Sequence, residues 1–439
     1  MNKYLRMNPN FTDLPCGLAC DNQCEIRSKM IALQNSLTLL LSDGSTQLIS
    51  TFIDSYQELC RSSSGIVENY PPSIALPALF DLVLSAKYVE RMVADGGWLY
   101  CAGSNLDEHP ALYFPFLRTC PRCSVKRGIK PSAKSNKPGS DAIGEMAADA
   151  TILILSEVAR RIAPDAKIGK CTLRQGDIDA VIYDADMLAL VEIKSSPLVV
   201  YPLEIRLTKP MTEVRDGELV PKRDHSMATT FISESDLSFY IPHIDLRIPL
   251  NSYTQDNWPY TSLTQFVSNP QNLATILLAW KQLYELYIKS RQRARGEVMD
   301  SRRWIMCGCG SPVDDSKNAP GMERTDDIKK GTYQVLKFGT YYKEKCPRRS
   351  IRAVLASNFL PQHGYARYLA EVQDVIWTKD KYSVPLPEDT ASDNIIAFQS
   401  NGVFNLYDAL LCFTRSIYRD ADLYRILSLE RLIDEISDE

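Results

Sequence analysis

Four charged side chains within residues 176–196 have the types and spacing for metal-dependent chemistry. Asp177 and Asp179 precede one short apolar segment, and Glu192 and Lys194 end a second one. Residues i and i+2 of a strand point to the same face, so each pair shares a face. One carboxylate from each segment would make a hard-oxygen site suited to Mg²⁺. A lysine beside that metal could stabilise a developing negative charge or orient a water molecule.

A β-hairpin would bring these side chains together. Residues 180–183 form one apolar strand, residues 184–186 form a polar turn, and a second apolar strand begins at residue 188. Charged residues also occur at strand ends simply because strand ends reach solvent. The hairpin alone therefore leaves both interpretations open.

A helix over residues 141–163 precedes the hairpin and carries Glu145. Its middle is apolar nearly all round, which indicates a buried helix. A carboxylate on a mostly buried helix is costly unless it is paired or bound to a metal. A short strand over residues 168–173 then leads into the hairpin.

A helix with a glutamate, followed by a hairpin with Asp…Glu-x-Lys, resembles the PD-(D/E)xK nuclease superfamily. Type II restriction endonucleases are its best-known members. The resemblance covers about residues 140–210 and rests on Glu145, residues 176–179 and residues 192–196. It implies an α/β (α+β) fold, with a restriction-endonuclease-like mixed four-stranded sheet flanked by helices.

The resemblance also implies the roles of the site residues. The Asp and Glu192 would hold Mg²⁺, Lys194 would assist the attacking water, and Glu145 would add a further acidic contact. The family pattern is incomplete here, because no Pro-Asp pair opens the motif. Asp177 and Asp179 both remain candidates. We favour Asp179, which directly precedes the first strand.

Clustered cysteines predict a structural zinc knuckle in the N-terminal region. Twelve cysteines in one large chain without a secretion signal favour metal binding over a disulfide framework. Cys120 and Cys123 form a Cys-x-x-Cys pair, and Cys101 is a third candidate ligand. The fourth ligand would be Cys16, Cys20 or Cys24. The alternatives are a chance pair of core cysteines and, for the last three, a separate metal or packing along one helical face.

Two segments carry candidate DNA contacts. Residues 111–140 contain no acidic residue and are rich in basic ones, including Lys126, Arg127 and Lys130. This segment is either a phosphate-contacting arm or a solvated linker. Further on, a helix is expected to begin at Thr325 or Asp326. The side chains that could contact phosphates and base edges there are Arg324, Lys329, Lys330 and Gln334. The alternative for this second segment is a solvated amphipathic helix.

Length and composition set the remaining limits. The 439 residues divide into a helical region with the zinc knuckle and basic arm (1–138), a nuclease core (139–260) and a mostly helical region (261–439) that completes the core, contacts DNA and dimerises. A net charge of −4 means that any DNA-binding surface must arise from local clustering. The absence of a long apolar run and of a signal-peptide core predicts a cytoplasmic protein with no membrane segment.

These observations predict a type II restriction endonuclease that hydrolyses phosphodiester bonds at a specific double-stranded DNA sequence. Recognition of a short symmetric site would require a homodimer, and a cognate DNA methyltransferase would belong to the same system. One alternative is a repair or recombination nuclease of the same fold. The other is a non-catalytic zinc-containing DNA-binding protein. A phosphate-binding Gly-x-x-x-x-Gly-Lys loop is missing from the sequence, which argues against an ATP-driven enzyme.

Overall fold

The structure is a computed structural model with a mixed α/β architecture. It describes residues 4–6, 25–40, 44–62, 65–95, 111–113, 140–173, 178–185, 187–201, 203–206, 212–221, 236–241, 244–289, 320–343, 350–362, 365–377 and 404–434.

Eleven helices lie in these parts of the chain. In order they are α1 Glu25–Ser36, α2 Gly44–Ser62, α3 Ile66–Asn69, α4 Pro72–Asp95, α5 Ser140–Ile162, α6 Tyr260–Val267, α7 Pro270–Lys289, α8 Thr325–Tyr342, α9 Tyr365–Tyr368, α10 Ala421–Leu427 and α11 Arg431–Asp434. The two helices that the sequence ties to the candidate site, α5 and α8, begin within one residue of the predicted positions.

The same parts of the chain contain sixteen strands. They are β1 Tyr4–Arg6, β2 Leu37–Leu40, β3 Ala111–Tyr113, β4 Lys167–Cys171, β5 Ala180–Tyr183, β6 Met187–Ile193, β7 Leu203–Arg206, β8 Thr212–Arg215, β9 Glu218–Pro221, β10 Asp236–Ile241, β11 Leu246–Pro249, β12 Ser350–Ser357, β13 Ile376–Trp377, β14 Phe404–Asn405, β15 Ala409–Cys412 and β16 Ile417–Tyr418. Strands β5 and β6 are the predicted hairpin, which is confirmed.

The main sheet has eight strands in the order β1-β2-β4-β5-β6-β12-β15-β16. Strands β4, β5 and β6 form an antiparallel meander. Strand β12 then joins β6 in parallel, and β15 joins β12 in parallel, so the sheet is mixed. The chain between β6 and α8 also forms most of a second sheet, ordered β11-β10-β7-β3.

Helices cover both faces of the main sheet. Successive side chains of a strand point to opposite faces, so the apolar strands of this sheet present apolar side chains on both. Ala189 and Val191 of β6 belong to a core shared with α2, α4, α5 and α7. Leu188 and Leu190 belong to the other core, which α1 and α8 cover. Glu192 follows Leu188 and Leu190 at the same two-residue spacing, so its side chain lies on the sheet face that α8 covers.

Helix α4 is a buried core helix that also fixes the chain leaving β6. Residues 72–91 are long and apolar enough to cross a membrane, but 89% of that stretch is buried inside the protein. The fully buried carboxylate of Asp81 accepts hydrogen bonds from the N–H groups of Leu198 (3.3 Å) and Val199 (2.9 Å) and from Nε1 of Trp280 (2.7 Å). Burial raises the pKa of Asp81 well above its ordinary value. These bonds tie the segment after β6 to α4 and α7.

Candidate metal centre

Asp179 and Glu192 lie opposite each other at the end of the hairpin. The paired register of β5 and β6 ends at Ala180↔Val191, and the Asp179 N–H donates to the Val191 carbonyl at 2.9 Å. On its other side, the Cys171 N–H donates to the Asp179 carbonyl at 2.8 Å. The Asp179 side chain forms a hydrogen bond with Glu192. The end of the hairpin therefore brings together one carboxyl group from each side of it, as predicted.

The two carboxyl groups are in contact in a largely dry environment. Glu192 is only 1% exposed. Oδ2 of Asp179 accepts a hydrogen bond from the Ile193 N–H at 2.7 Å. Burial is the largest influence on the pKa of Asp179 and raises it above its ordinary value, although a hydrogen bond with Glu192 partly opposes this. Either a proton or a bound cation would relieve the repulsion between the two ionised carboxylates.

Lys194 lies beside the carboxyl pair and packs against α8. Its Nζ forms an ion pair with Oε1 of Glu192. A methyl group added at Gly331 would lie 3.4 Å from Cγ of Lys194 and 2.8 Å from Cδ1 of Leu355. The glycine thus lets α8 approach the stem of the lysine closely. The predicted grouping of Asp179, Glu192 and Lys194 is present.

A third carboxylate near this lysine was not predicted. Asp327 lies one turn before Gly331 on α8, and its Oδ2 is 3.5 Å from Nε of Arg324. Burial raises the pKa of Asp327, while the positive charges of Arg324 and Lys194 oppose that rise. The sequence places Asp327 in the first turn of a helix, where acidic residues are common because they interact favourably with the helix dipole. That position alone gives no reason to predict a role at the site. Only the packing of α8 on β6 brings it near Lys194.

Glu145 lies at an exposed position in the first turns of a helix whose middle is buried, so burial does not require it to bind a metal. Its side chain is 60% exposed, and its Oε1 lies 3.1 Å from Nζ of Lys170 on β4. The same ammonium lies 2.7 Å from Oδ1 of Asp149, one turn further along α5. The apolar middle of α5 begins only after these residues. Glu145 is therefore an exposed carboxylate that forms an ion pair with Lys170.

Hydrogen bonds anchor the chain immediately after Lys194. Oγ of Ser195 accepts from Oγ1 of Thr151 at 2.9 Å and from the Asn358 N–H at 3.1 Å. The Asn358 side chain accepts from the Ser196 N–H at 3.0 Å and donates to the Ser196 carbonyl at 2.8 Å. These bonds lock the end of β6 to α5 and to the end of β12. Asn358 is more than 160 residues away in sequence, and no local pattern singled it out.

Two carboxylates suit Mg²⁺, which commonly binds one or two protein carboxylates together with water and substrate phosphates. Within the described residues, no group of three or more His, Cys, Asp or Glu side chains could hold a metal ion. Asp177 and the predicted zinc ligands lie outside the described residues, the latter being Cys16, Cys20, Cys24, Cys101, Cys120 and Cys123. Cys60, Cys171 and Cys412 are buried free thiols.

Only two of the residues that the sequence predicts as DNA contacts on α8 are exposed. Lys329 and Lys330 are exposed, whereas Gln334 is half-buried. The Nζ of Lys329 lies 5.7 Å from the ring centre of Tyr368, and Arg324 is engaged by Asp327. The basic arm with Lys126, Arg127 and Lys130 lies outside the described residues.

Comparisons of the chain with protein-family models, with curated proteins and with solved structures give no match.

Proposed function

We propose that the chain is a Mg²⁺-dependent endodeoxyribonuclease, acting as a type II restriction endonuclease on double-stranded DNA. The observation that carries the proposal is the juxtaposition of Asp179 and Glu192, with Lys194 on the same face of β6. The mixed arrangement of β4, β5, β6 and β12 with helices on both faces also supports it. This arrangement agrees with the PD-(D/E)xK resemblance of the sequence.

Asp179 and Glu192 would hold the Mg²⁺. When bound, the metal supplies a positive charge that stabilises negative charge on the scissile phosphate and favours ionisation of a bound water. The raised pKa of Asp179 in the free protein fits this role, because the charged pair needs a cation to be stable.

Lys194 would orient the attacking water or stabilise the developing charge on a phosphate oxygen. Its ammonium is held by Glu192, and its stem is held by the close approach of Gly331. An ammonium fixed in a mostly buried site needs little reorganisation during the reaction. This preorganisation is the protein's own contribution to catalysis in the proposal.

Binding would rely on local basic surface, since the chain as a whole carries a net charge of −4. Lys329 and Lys330 on α8 are exposed on the helix that also packs against Lys194. We further propose a homodimer, a structural zinc knuckle, a cytoplasmic location and a cognate DNA methyltransferase. These proposals rest on the sequence patterns and on the resemblance.

Incubation of the full chain with plasmid DNA and Mg²⁺ tests the function. Discrete fragments that are lost on addition of EDTA would support a restriction endonuclease. A continuous smear would instead favour a repair or recombination nuclease of the same fold. DNA binding without cleavage would favour a non-catalytic DNA-binding protein.

A further inference from the structure

The segment that leads into α8 is anchored next to the proposed metal centre. The Gly321 N–H donates to the Ser196 carbonyl at 2.8 Å, two residues after Lys194. Oε2 of Glu323 accepts a hydrogen bond from the Gln362 N–H at 2.6 Å. Gly321 has a φ of +52°, and a Cβ added to it would lie 2.6 Å from a backbone carbonyl oxygen, so a side chain would not fit there. These contacts fix the position at which α8 begins.

Helix α8 then runs antiparallel to β6 and β12. A Cβ added at Gly331 would lie 2.8 Å from Cδ1 of Leu355 and 3.4 Å from Cγ of Lys194, at the carboxyl ends of the two strands. A Cβ added at Gly339, two turns later, would lie 3.5 Å from Cβ of Ala353, further back along β12. The first turn of α8 therefore lies at the carboxyl ends of β6 and β12, at the edge of the metal centre.

Arg324 and Asp327 form a charged pair in this first turn. Asp327 precedes Gly331 by four residues, so both lie on the face of the helix that is turned towards Lys194. Oδ2 of Asp327 is 3.5 Å from Nε of Arg324, and the two side chains are 23% and 38% exposed, respectively. The guanidinium is thus held beside the site by a carboxylate that is less exposed than the guanidinium itself.

We propose that Arg324 binds a phosphate of the DNA strand that is cleaved, and that Asp327 is a positioning residue that holds the guanidinium for this contact. This inference rests on the proposed function. A guanidinium has five donors in a rigid fork, which suits paired hydrogen bonds to phosphate oxygens. Because Asp327 lies on the Nε side of the fork, the other donors can meet a phosphate. Asp327 itself would touch neither the metal nor the DNA.

The surrounding charges support positioning over metal binding by Asp327. Within the described residues, no group of three or more His, Cys, Asp or Glu side chains could hold a metal ion, so Asp327 does not form one with Asp179 and Glu192. A carboxylate this close to bound DNA would repel its phosphates unless it were neutralised. Arg324 and Lys194 are the positive charges that act most strongly on Asp327.

Asp326 provides a matched control, because it is an exposed carboxylate in the same first turn of α8. Asp327→Asn and Asp326→Asn each remove one negative charge, so both should bind DNA in Ca²⁺ at least as tightly as the wild type. We expect Asp327→Asn to slow single-turnover cleavage by about tenfold or more, because the guanidinium loses its fixed position. Asp326→Asn should cleave at the wild-type rate.

Arg324→Gln should slow cleavage by at least the same factor and lower the slope of log affinity against log salt by about 1. The double variant should cleave no more slowly than Arg324→Gln alone, because Asp327 acts only through Arg324. A purely structural role of Asp327 would instead give additive losses. Binding of Mn²⁺, followed by electron paramagnetic resonance of the free ion, should change less than about threefold in Asp327→Asn.

The outcomes separate this inference from the proposed function. Cleavage at the wild-type rate by Arg324→Gln or Asp327→Asn, additive losses in the double variant, or a loss of Mn²⁺ affinity of about tenfold or more in Asp327→Asn would overturn the inference and leave the nuclease proposal standing. No cleavage by the wild-type chain would overturn the proposed function and the inference with it. If Asp327→Asn does not fold, the cleavage rate and salt slope of Arg324→Gln still decide the question.

Discussion

The carboxyl group of Asp179, the residue before β5, contacts that of Glu192 on β6, and its Oδ2 accepts a hydrogen bond from the Ile193 N–H at 2.7 Å. Two carboxyl groups this close repel each other when both are ionised, and the Lys194 ammonium lies next to Glu192. The hairpin and the Ile193 N–H together hold this arrangement in place.

Removing one carboxylate of this pair should abolish catalysis. We expect Glu192→Gln to lower the cleavage rate by at least about 10³-fold, because charge stabilisation by a metal ion is worth several kcal/mol. Single-turnover cleavage of plasmid DNA measures the effect. Glu218→Gln, an exposed carboxylate of β9, is the control and should cleave at the wild-type rate. An active Glu192→Gln would show that the metal is held elsewhere.

The raised pKa of Asp179 predicts a pH-dependent stability in EDTA. The folded protein binds this proton more tightly than the unfolded chain does. This contribution to the free energy of unfolding is therefore present at low pH and falls as the pH rises from the unfolded pKa of about 3.9 through the raised folded pKa. Urea unfolding across that range should show the decline in the wild type and a smaller one in Asp179→Asn. Equal declines in both proteins would contradict the assignment.

Mg²⁺ should oppose the fall in the free energy of unfolding at rising pH, because the metal competes with the proton for the same carboxyl groups. We expect its apparent affinity to rise with pH through the same window, as followed by isothermal titration calorimetry with proton release. Asp179→Asn should release fewer protons on binding. A pH-independent affinity would argue against a metal bound by this pair.

The contact between α8 and Lys194 predicts opposite effects of the same substitution at two helical glycines. Gly144→Ala on α5 meets no atom within 4 Å and should stabilise the protein by about 0.5–1 kcal/mol. Gly331→Ala would press on Leu355 and Lys194, which should cancel that gain and lower the cleavage rate. Urea unfolding and single-turnover kinetics compare the pair. Equal stabilisation with full activity in both would refute the proposed contact.

The exposed lysines of α8 should contact DNA phosphates. We expect Lys329→Ala and Lys330→Ala each to weaken binding and to lower the slope of log affinity against log salt by about 1. Fluorescence anisotropy with Ca²⁺ in place of Mg²⁺ measures binding without cleavage. Lys281→Ala on α7 is the control, since that lysine is bonded to the Asn69 carbonyl. An unchanged slope in both α8 variants would place the DNA elsewhere.

Local patterns were sufficient to predict the hairpin and the two helices tied to the site. Two short apolar segments around a polar turn predicted β5 and β6, and the Asp…Glu-x-Lys spacing predicted that Asp179, Glu192 and Lys194 lie together. The apolar middle of α5 predicted a buried helix, and the sequence did not reveal that its first turns, with Gly144 and Glu145, are exposed.

Long-range packing explains what the sequence did not reveal. Lys170 meets Glu145 and Asp149 only because α5 packs on β4. Asp327 and Asn358 reach the site from elements more than 130 residues after β6. Neither their residue types nor their local spacing distinguishes them from ordinary polar residues.

The most direct test of the central claim is cleavage and binding by Lys194→Ala, measured on the same DNA. The metal-binding carboxylates and the DNA-contacting surface remain in this variant. We predict that Mg²⁺-dependent cleavage is lost, while Mn²⁺ still binds and DNA affinity in Ca²⁺ changes by less than about threefold, because removing a positioned catalytic charge acts mainly on the transition state. Cleavage at the wild-type rate by Lys194→Ala would contradict the proposed active site.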